Sequence, residues 1–167
     1  MKNFTLNIII VLTLFTFGIT GANQVYFELM GPGLMGSINY ENEFNSDEQI
    51  SFRLGYGHFS DDESGEVTVN PLILGINKLW GKKNTKYEIG LGISNWIFSV
   101  DEGSSIDFLG TIIDEFNFTC YYVNTGIRYQ KVNRNLGFKL GLSATFLPEQ
   151  YDNTVIPFPY ISLGYRF

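Results

Sequence analysis

The chain has few of the residues on which metal sites, disulfides and nucleic-acid binding depend. Its 167 residues include one cysteine, one histidine, and 11 Lys and Arg against 17 Asp and Glu. A single cysteine, Cys120, excludes an intramolecular disulfide and a multi-thiolate metal site, and a lone strand cysteine is most often a small packed residue. The formal net charge of −6 disfavours a nucleic-acid partner, because phosphate binding needs clustered Lys and Arg. The sequence therefore predicts no metal, no cofactor and no nucleic-acid partner.

Long apolar runs are also missing, apart from one near the N-terminus. The basic start at Lys2 is followed by an apolar run over residues 4–17 and then by small residues up to Ala22. This run is too short to span a membrane and no charge follows it to stop transfer, so the pattern is typical of a secretory signal peptide. We expect residues 1–22 to be removed, leaving 23–167 as one domain; an uncleaved anchor is the alternative. The segment contains no cysteine for lipid attachment.

What the rest of the chain does contain is alternation of apolar and polar residues. Hydrophobic residues make up 44% and aromatic residues 16% of the sequence, yet no later run could form a membrane helix. A side-chain period of two predicts strands. Pro71 should limit pairing locally in its strand, and no helix is required. We expect the strands over residues 24–30, 34–41, 50–59, 67–80, 85–99, 118–130, 136–147 and 160–167.

The polar faces of these strands differ from the solvent-facing side of a soluble protein. They are mostly Gly, Ser, Thr and Asn, with isolated charges of both signs that suit a narrow lumen filled by ion pairs. Tyrosines recur near the strand ends of the apolar faces, as at a membrane interface. We therefore predict an all-β protein, an antiparallel transmembrane up-and-down β-barrel, in preference to a soluble barrel. The predicted lumen polar network is Glu28, Glu41, Arg53, Glu88, Arg128, Lys139 and Arg166, and the interface tyrosines are Tyr56, Tyr87, Tyr129 and Tyr165.

The end of the chain resembles a known class of strand. Ile161, Leu163, Tyr165 and the terminal Phe167 alternate with polar or small residues. A strand of this kind that ends on an aromatic residue resembles the closing strand of bacterial outer-membrane β-barrels. The overall plan resembles the OmpX- and OmpA-type eight-stranded barrels. The segments Glu-Leu-Met-Gly at 28–31 and Ser-Ile-Asn-Tyr-Glu at 37–41 are similar to a group of small outer-membrane barrels of uncharacterised function.

This resemblance implies a location and a set of partners. The location is the outer membrane of a Gram-negative bacterium, in contact with its lipids, including lipopolysaccharide. The barrel-assembly machinery would read the closing strand through an assembly signal formed by Ile161, Leu163, Tyr165 and Phe167. The resemblance is architectural and carries over no catalytic residue. We expect a monomer.

The number of strands depends on Gly31–Gly33. The alternation slips by one residue there, which is compatible with a bulge in one long strand, giving seven strands, or with a tight turn between two short ones, giving eight. Short connections at 81–84 and 131–135 alternate along the chain with longer ones, and barrels of this class keep short turns in the periplasm. Both chain ends then lie in the periplasm only if a strand precedes Leu34, which favours the turn. The polar stretch 41–48 is interpreted as the next periplasmic connection.

Two features could carry an activity or a contact. His58 and Ser60 lie at the outer end of one apolar face, and their His-x-Ser pattern resembles the catalytic dyad of outer-membrane lipid A deacylases. A histidine base beside a serine could attack an acyl ester if a carboxylate oriented the imidazole. In that family the orienting acid comes from the following strand, but here the residues between Leu72 and Ile76 include no acid. The residue after the serine, usually an asparagine in that family, is Asp61 here. The loop alternatives are Asp62, Glu63 and Glu66. We favour a histidine placed at the headgroup interface.

The longest connection, 101–117, is the second feature. Apolar residues in it recur near helical spacing, which is compatible with a short surface helix, a lumen cap or a partner-binding ridge. These residues are Ile106, Leu109, Ile113 and Phe116. The simpler alternative is that the flanking strands extend beyond the membrane. The acidic connection 61–66 matches no calcium-loop spacing.

The sequence thus predicts a non-enzymatic outer-membrane β-barrel protein with an envelope-structural or surface-interaction role through its extracellular loops. One alternative is a lipid A deacylase-like esterase that uses His58 and Ser60. The other is a soluble, periplasmic, lipocalin-like binding barrel.

Overall fold

The structure, a computed structural model, describes residues 22–45, 49–60, 67–82, 84–100, 106–108, 111–113, 116–131, 135–148 and 154–167. The strands in chain order are β1 (Asn23–Met30), β2 (Gly36–Asn45), β3 (Ile50–Gly57), β4 (Phe59–Ser60), β5 (Val67–Lys82), β6 (Thr85–Val100), β7 (Ile106–Phe108), β8 (Thr111–Ile113), β9 (Phe116–Gln130), β10 (Leu136–Phe146) and β11 (Val155–Arg166). A short 3-10 turn, Gly31–Gly33, follows β1. None of the described residues belongs to a helix long and apolar enough to cross a membrane.

The strands close into one antiparallel barrel. Neighbouring strands follow the order β3-β2-β1-β11-β10-β9-β6-β5, and β3 also pairs with β5, so the sheet closes on itself. β4 continues the line of β3 along β5, which makes eight wall strands. The predicted fold class, an all-β antiparallel up-and-down barrel of eight strands, is confirmed. The tight turn at Gly31–Gly33 is also confirmed, with Met30 at φ 63 and Gly31 at φ 73 reversing the chain.

Pro71 explains the break between β3 and β4. β5 pairs with β3 as far as Leu72 opposite Tyr56, and with β4 again from Val69 opposite Phe59. Pro71 lies between these two stretches, and a proline has no backbone N–H to donate across the ladder. The predicted local limit on pairing is confirmed.

The barrel is apolar outside and polar inside. Large apolar side chains such as Ile38, Leu91 and Leu163 are exposed on the outer face, and the four predicted interface tyrosines are exposed there too. Charged side chains such as Glu28 and Arg128 are buried in the lumen. A soluble barrel has the reverse arrangement, whereas a barrel that spans a membrane needs an apolar exterior.

The interior changes character along its axis. At the end where β6 finishes and β11 begins, hereafter the outer rim, the lumen is filled by an apolar cluster of Val69, Trp96, Phe98, Phe118, Cys120 and Leu147. The Trp96 ring lies 5.3 Å from that of Phe118, which stacks on Phe98 at 5.8 Å. Cys120 is fully buried, as expected for a small packed residue. Because the sequence predicts a polar lumen throughout, this apolar half is a correction.

The turn after β1 folds into the barrel rather than over its edge. Gly31, Pro32 and Gly33 are buried. The Pro32 carbonyl accepts a hydrogen bond from Ser94 Oγ at 2.8 Å and a longer one from Trp96 Nε1 at 3.4 Å. The turn therefore separates the apolar cluster from the polar half of the lumen.

The interpretation of 41–48 as a connection is wrong for its first part. β2 runs on to Asn45, and Asn42 and Glu43 pair in register with Phe52 and Ser51 of β3. Polar residues continue the strand here because Glu41 and Glu43 point into a lumen that contains cations for them. β2 therefore ends four residues later than the predicted strand end at residue 41.

The helical interpretation of 101–117 is wrong where the segment is described. Ile106–Phe108 and Thr111–Ile113 form a two-stranded antiparallel hairpin, with Ile106 opposite Ile113. β-branched residues favour such strands over a short helix. β6 extends to Val100 and β9 begins at Phe116, so the flanking strands reach beyond their predicted ends, as the simpler alternative expects. The predicted signal peptide lies outside the described residues apart from Ala22, and it stays a prediction.

Candidate functional site in the lumen and at the outer rim

The polar half of the lumen is centred on Arg128 of β9. Its guanidinium contacts Glu41 Oε1 at 2.5 Å and also Glu88 Oε2. Lys139 of β10 lies beside it, 2.5 Å from Glu41 Oε2 and 3.8 Å from Glu88 Oε2. Ser51 Oγ donates a further hydrogen bond to Glu41. Four wall strands are therefore tied across the lumen by two carboxylates and two cations.

A second ion pair lies between this cluster and the buried turn. Arg53 NH2 lies 2.5 Å from Glu28 Oε1, and Arg53 Nε donates to Asn39 Oδ1 at 2.9 Å. Ser162 Oγ donates to the other oxygen of Glu28 at 3.1 Å. The Tyr26 ring joins the two groups, with Lys139 Nζ 3.7 Å and Arg53 Cζ 5.6 Å from its centroid. Cations over an aromatic face gain further attraction in a desolvated site.

The third group lies at the end of the lumen opposite the outer rim. Glu43 accepts from Arg166 NH2 at 3.3 Å and lies 3.7 Å from Lys86 Nζ and 3.6 Å from Arg128 NH1. Arg166 and Lys86 are the partly exposed members, at 37% and 23% of the side chain. All seven residues of the predicted network thus face the lumen and make ion pairs. Sequence reasoning missed Glu43 and Lys86, although the alternation from Glu41 through β2 would have found the first.

Burial explains why these charges are paired so completely. Glu28, Glu41, Arg53, Arg128 and Lys139 are each exposed by no more than 3%. The desolvation of one unpaired ion in such a place would cost a free energy on the order of several kcal/mol. Glycines leave room in the lumen for neutral side chains such as that of Tyr122. A Cβ at Gly75 or Gly92 would collide with the Tyr122 side chain. The arrangement fills the lumen, and the described residues contain no group of three or more side chains suited to hold a metal ion.

At the outer rim His58 is held by the neighbouring strand. Its Nδ1 lies 2.8 Å from Asn70 Oδ1, and Tyr56 Oη donates to the same oxygen at 3.0 Å. Because Asn70 Oδ1 can only accept, Nδ1 carries the proton in a neutral ring and Nε2 is left as the basic nitrogen. Ser60 follows two residues later on the same outward side of β4. The candidate loop acids Asp62, Glu63 and Glu66 lie outside the described residues.

Asn70 is the rim residue that sequence reasoning missed. Asn70 lies two residues before the interval from Leu72 to Ile76 in which the sequence offers no acid. The β3–β5 register, in which Tyr56 faces Leu72, places Asn70 opposite His58. The position of Asn70 opposite His58 follows only from the register of the two strands, and the sequence pattern does not predict that register.

The residues of the predicted assembly signal share the outer face of β11. Ile161, Leu163, Tyr165 and Phe167 are all strongly exposed there. β11 pairs with β10 on one side and with β1 on the other, from Arg166 opposite Gln24 to Tyr160 opposite Met30. The first and last strands of the described chain therefore meet at the seam that closes the barrel.

A closed eight-stranded barrel with an apolar exterior and an ion-paired interior defines the structural class of the outer-membrane β-barrels. Comparison with protein-family models and with curated proteins found no match. The structure is similar to the N-terminal β-barrel domain of Pseudomonas aeruginosa OprF, with 12% identity, a TM-score of 0.60, and coverage of 87% of this chain and 96% of that one.

Two further similarities to solved structures are weaker in shape. For Neisserial surface protein A the identity is 16% and the TM-score 0.49, over 87% of this chain and 92% of that one. For Ail, the attachment invasion locus protein of Yersinia pestis, the identity is 13% and the TM-score 0.47, over 88% of this chain and 97% of that one. The similarity to the OprF domain confirms the fold.

Proposed function

We propose that the protein is a non-enzymatic β-barrel of the outer membrane of a Gram-negative bacterium, with a closed lumen and a surface-interaction or envelope-structural role carried by its external loops. The observation that supports this most directly is the inverted polarity of the barrel: exposed apolar residues surround a lumen of paired charges. An eight-stranded barrel is just wide enough for side chains to fill it, and here ion pairs and an aromatic cluster do so. The lumen therefore favours anchoring over transport.

The charge of the connections supports a surface role. The connections at the outer rim, 60–66, 101–115 and 149–153, contain acidic residues and no Lys or Arg, whereas Lys82, Lys83 and Lys131 lie at the opposite end. A surface of one sign attracts partners of the other sign. We propose cationic groups as the partners of the loops, outer-membrane lipids as the surroundings of the wall, and the barrel-assembly machinery as the reader of the closing strand. The acidic residues are Asp61, Asp62, Glu63, Glu66, Asp101, Glu102, Asp107, Asp114, Glu115, Glu149 and Asp152.

Neutralising the first acidic loop should weaken binding of a polycation to intact cells. Cells that display a variant with Asp61, Asp62, Glu63 and Glu66 changed to the corresponding amides should retain less fluorescent polylysine than wild-type cells, with the largest difference at low salt, because screening weakens surface attraction. The matched control, Lys82→Gln with Lys83→Gln, should leave retention unchanged. Fractionation with outer membranes and heat-modifiable gel migration check all three proteins. Extraction in plain buffer would contradict the membrane barrel, and equal retention would contradict the surface role.

A second candidate function has one specific observation in its favour. The His58–Asn70 hydrogen bond fixes the tautomer in which Nε2 could serve as a base for Ser60, as a lipid A deacylase-like esterase would need. An asparagine in place of a carboxylate orients the ring but does not stabilise a charged imidazolium. This difference favours the non-enzymatic function.

The esterase alternative has a direct test. We expect lipid A from cells that express the wild-type protein to keep all its acyl chains, as measured by mass spectrometry, and Ser60→Ala to change nothing. Loss of one acyl chain in the wild type that disappears in Ser60→Ala would replace the proposed function by the esterase. His58→Gln, which keeps a polar side chain at the rim, serves as the second variant.

A further inference from the structure

The wall of the barrel is incomplete at the outer rim. β1 ends at Met30 opposite Tyr160, and β2 begins at Gly36, with Ser37 opposite Gly57. Beyond those points β11 pairs only with β10, and β4 only with β5, within the described part of the chain. A notch therefore separates β4 from the first residues of β11, and the turn after β1 forms its floor.

The residues at the notch fit an opening toward lipid. Pro157 and Pro159 lie on the free edge of β11, and proline at a strand edge prevents another strand from pairing there. Phe59, Ile156 and Phe158 pack against the apolar cluster but are only partly buried. Apolar side chains that face inward yet stay accessible indicate that the opening is not closed by the described protein.

An apolar groove lies on the outer face of β1, β2 and β3, with His58, the residue before β4, at one end. It has a volume of about 390 Å³, within the range of roughly 300–1,000 Å³ found for small-molecule sites. Its lining includes Phe27, Met35, Ile38, Tyr56 and His58. Phe27 faces Ile38 across β1–β2, and Ile38 faces Tyr56 across β2–β3, so three adjacent strands form its base.

The groove has a polar end and an apolar end. The polar end, at the rim, holds the hydrogen-bonded group of His58, Asn70 and Tyr56. The apolar end, at Phe27, lies deeper in the wall. A lipid in the leaflet at this rim has the same orientation, with its ester groups near the headgroup level and its chains below.

The charges near the groove favour one class of lipid. The connection that follows Ser60 in the sequence is acidic and contains no Lys or Arg, so the site is poorly suited to a lipid whose headgroup carries only phosphates. A zwitterionic headgroup brings a cation of its own. Asn70 Nδ2 can still donate at the rim, and a neutral donor of this kind suits the carbonyl of an acyl ester.

We propose that the notch and groove hold one ester-linked acyl chain of a zwitterionic phospholipid, with its ester at His58 and Asn70 and its chain along Ile38 and Phe27. This proposal rests on the proposed membrane location of the barrel. The groove lies on the surface that faces lipid, so the chain needs no path through water.

Photocrosslinking tests the site. The full-length protein is reconstituted in phosphatidylcholine vesicles that contain a trace of phosphatidylcholine with a diazirine in one acyl chain, and labelled peptides are mapped by mass spectrometry. We expect labelling to concentrate several-fold on the peptides that contain Phe27, Met35 and Ile38, relative to the outward face of β10. Ile38→Trp, which fills the groove, should reduce this excess, and Leu140→Trp, on the outward face of β10, should not.

The outcomes separate the groove from the membrane location. If the protein shows no heat-modifiable migration in vesicles, the barrel proposal itself fails. If it inserts but labelling is even around the wall, the groove proposal alone fails. The same conclusion follows if Ile38→Trp keeps the excess, or if the excess requires added lipid A, since the proposed occupant is a phospholipid.

Discussion

Replacing Arg128 by methionine should lower the free energy of unfolding by about 3–5 kcal/mol, the loss expected when one partner of a buried ion network is removed. Glu41 and Glu88 both depend on this guanidinium, and both lie in the lumen away from water. Lys139 would remain as a buried cation for the two carboxylates, which is too little charge for both. Urea unfolding in phosphatidylcholine vesicles, followed by the shift between folded and unfolded gel bands, measures the loss.

Arg166→Met is the matched control for this prediction. Arg166 also pairs with a lumen carboxylate, but its side chain is 37% exposed, and exposed pairs contribute on the order of 1 kcal/mol or less. A second variant, Arg128→Met combined with Glu88→Gln, should recover part of the stability because it removes one unpaired charge. Similar losses for Arg128→Met and Arg166→Met would show that the interior is hydrated and that burial does not set the strength of the network.

Trp96→Ala should cost about as much, roughly 3–5 kcal/mol for a large aromatic side chain removed from a packed core. Trp96 is 1% exposed, packs on Phe118, and donates from Nε1 to Ser94 Oγ at 2.9 Å. Its loss leaves a cavity in the apolar cluster and removes one of the two donors to the Pro32 carbonyl. The same urea experiment measures the effect.

Trp80→Ala is the control for Trp96. Trp80 lies on the outer face and is 46% exposed, so its replacement should change stability far less. Limited proteolysis adds a second readout: loosening of the inward turn should expose the chain around Leu34 in Trp96→Ala alone. An intact turn together with a small stability loss would mean that the cluster does not hold the turn in place.

Much of the fold follows from alternation alone. In β6, Tyr87, Ile89 and Leu91 face out while Glu88 and Gly90 face in, and this pattern shows both the strand and its two faces before any contact is known. The same reasoning places every member of the predicted polar network on the inner face. The pattern is regular because the outward-facing side chains of a membrane-spanning strand must be apolar along the whole crossing.

Alternation is less informative where both faces have the same character. At the outer rim Trp96 and Phe98 replace polar residues on the inner face while Ile97 stays outside, so the pattern fades and the apolar cluster was missed. At the other end Glu43 lies within the polar run 41–48, whose composition predicts a connection. In both places the deciding information is the contact between distant strands, which no local pattern contains.

Register is the other quantity that local patterns do not contain. The pairing of His58 with Asn70 and the position of the notch both depend on which residues face each other across strands. A hydrophobic pattern fixes register only to an even number of residues. The long connections, which hold most of the acidic residues, leave that choice open.

The short first strand has a consequence for the order of assembly. β1 has 8 residues, whereas β5 and β6 have 16 each, so the contact between β1 and β11 is among the shortest in the wall. The long hairpins between β5 and β11 join neighbours in sequence and can form early, because their closure costs little entropy. The seam joins β1 to β11, the first and last strands of the described chain, and can form only after the rest is in place. On heating we expect β1 and β11 to separate before the other strand pairs, so that the pairing formed last in folding is the first to be lost.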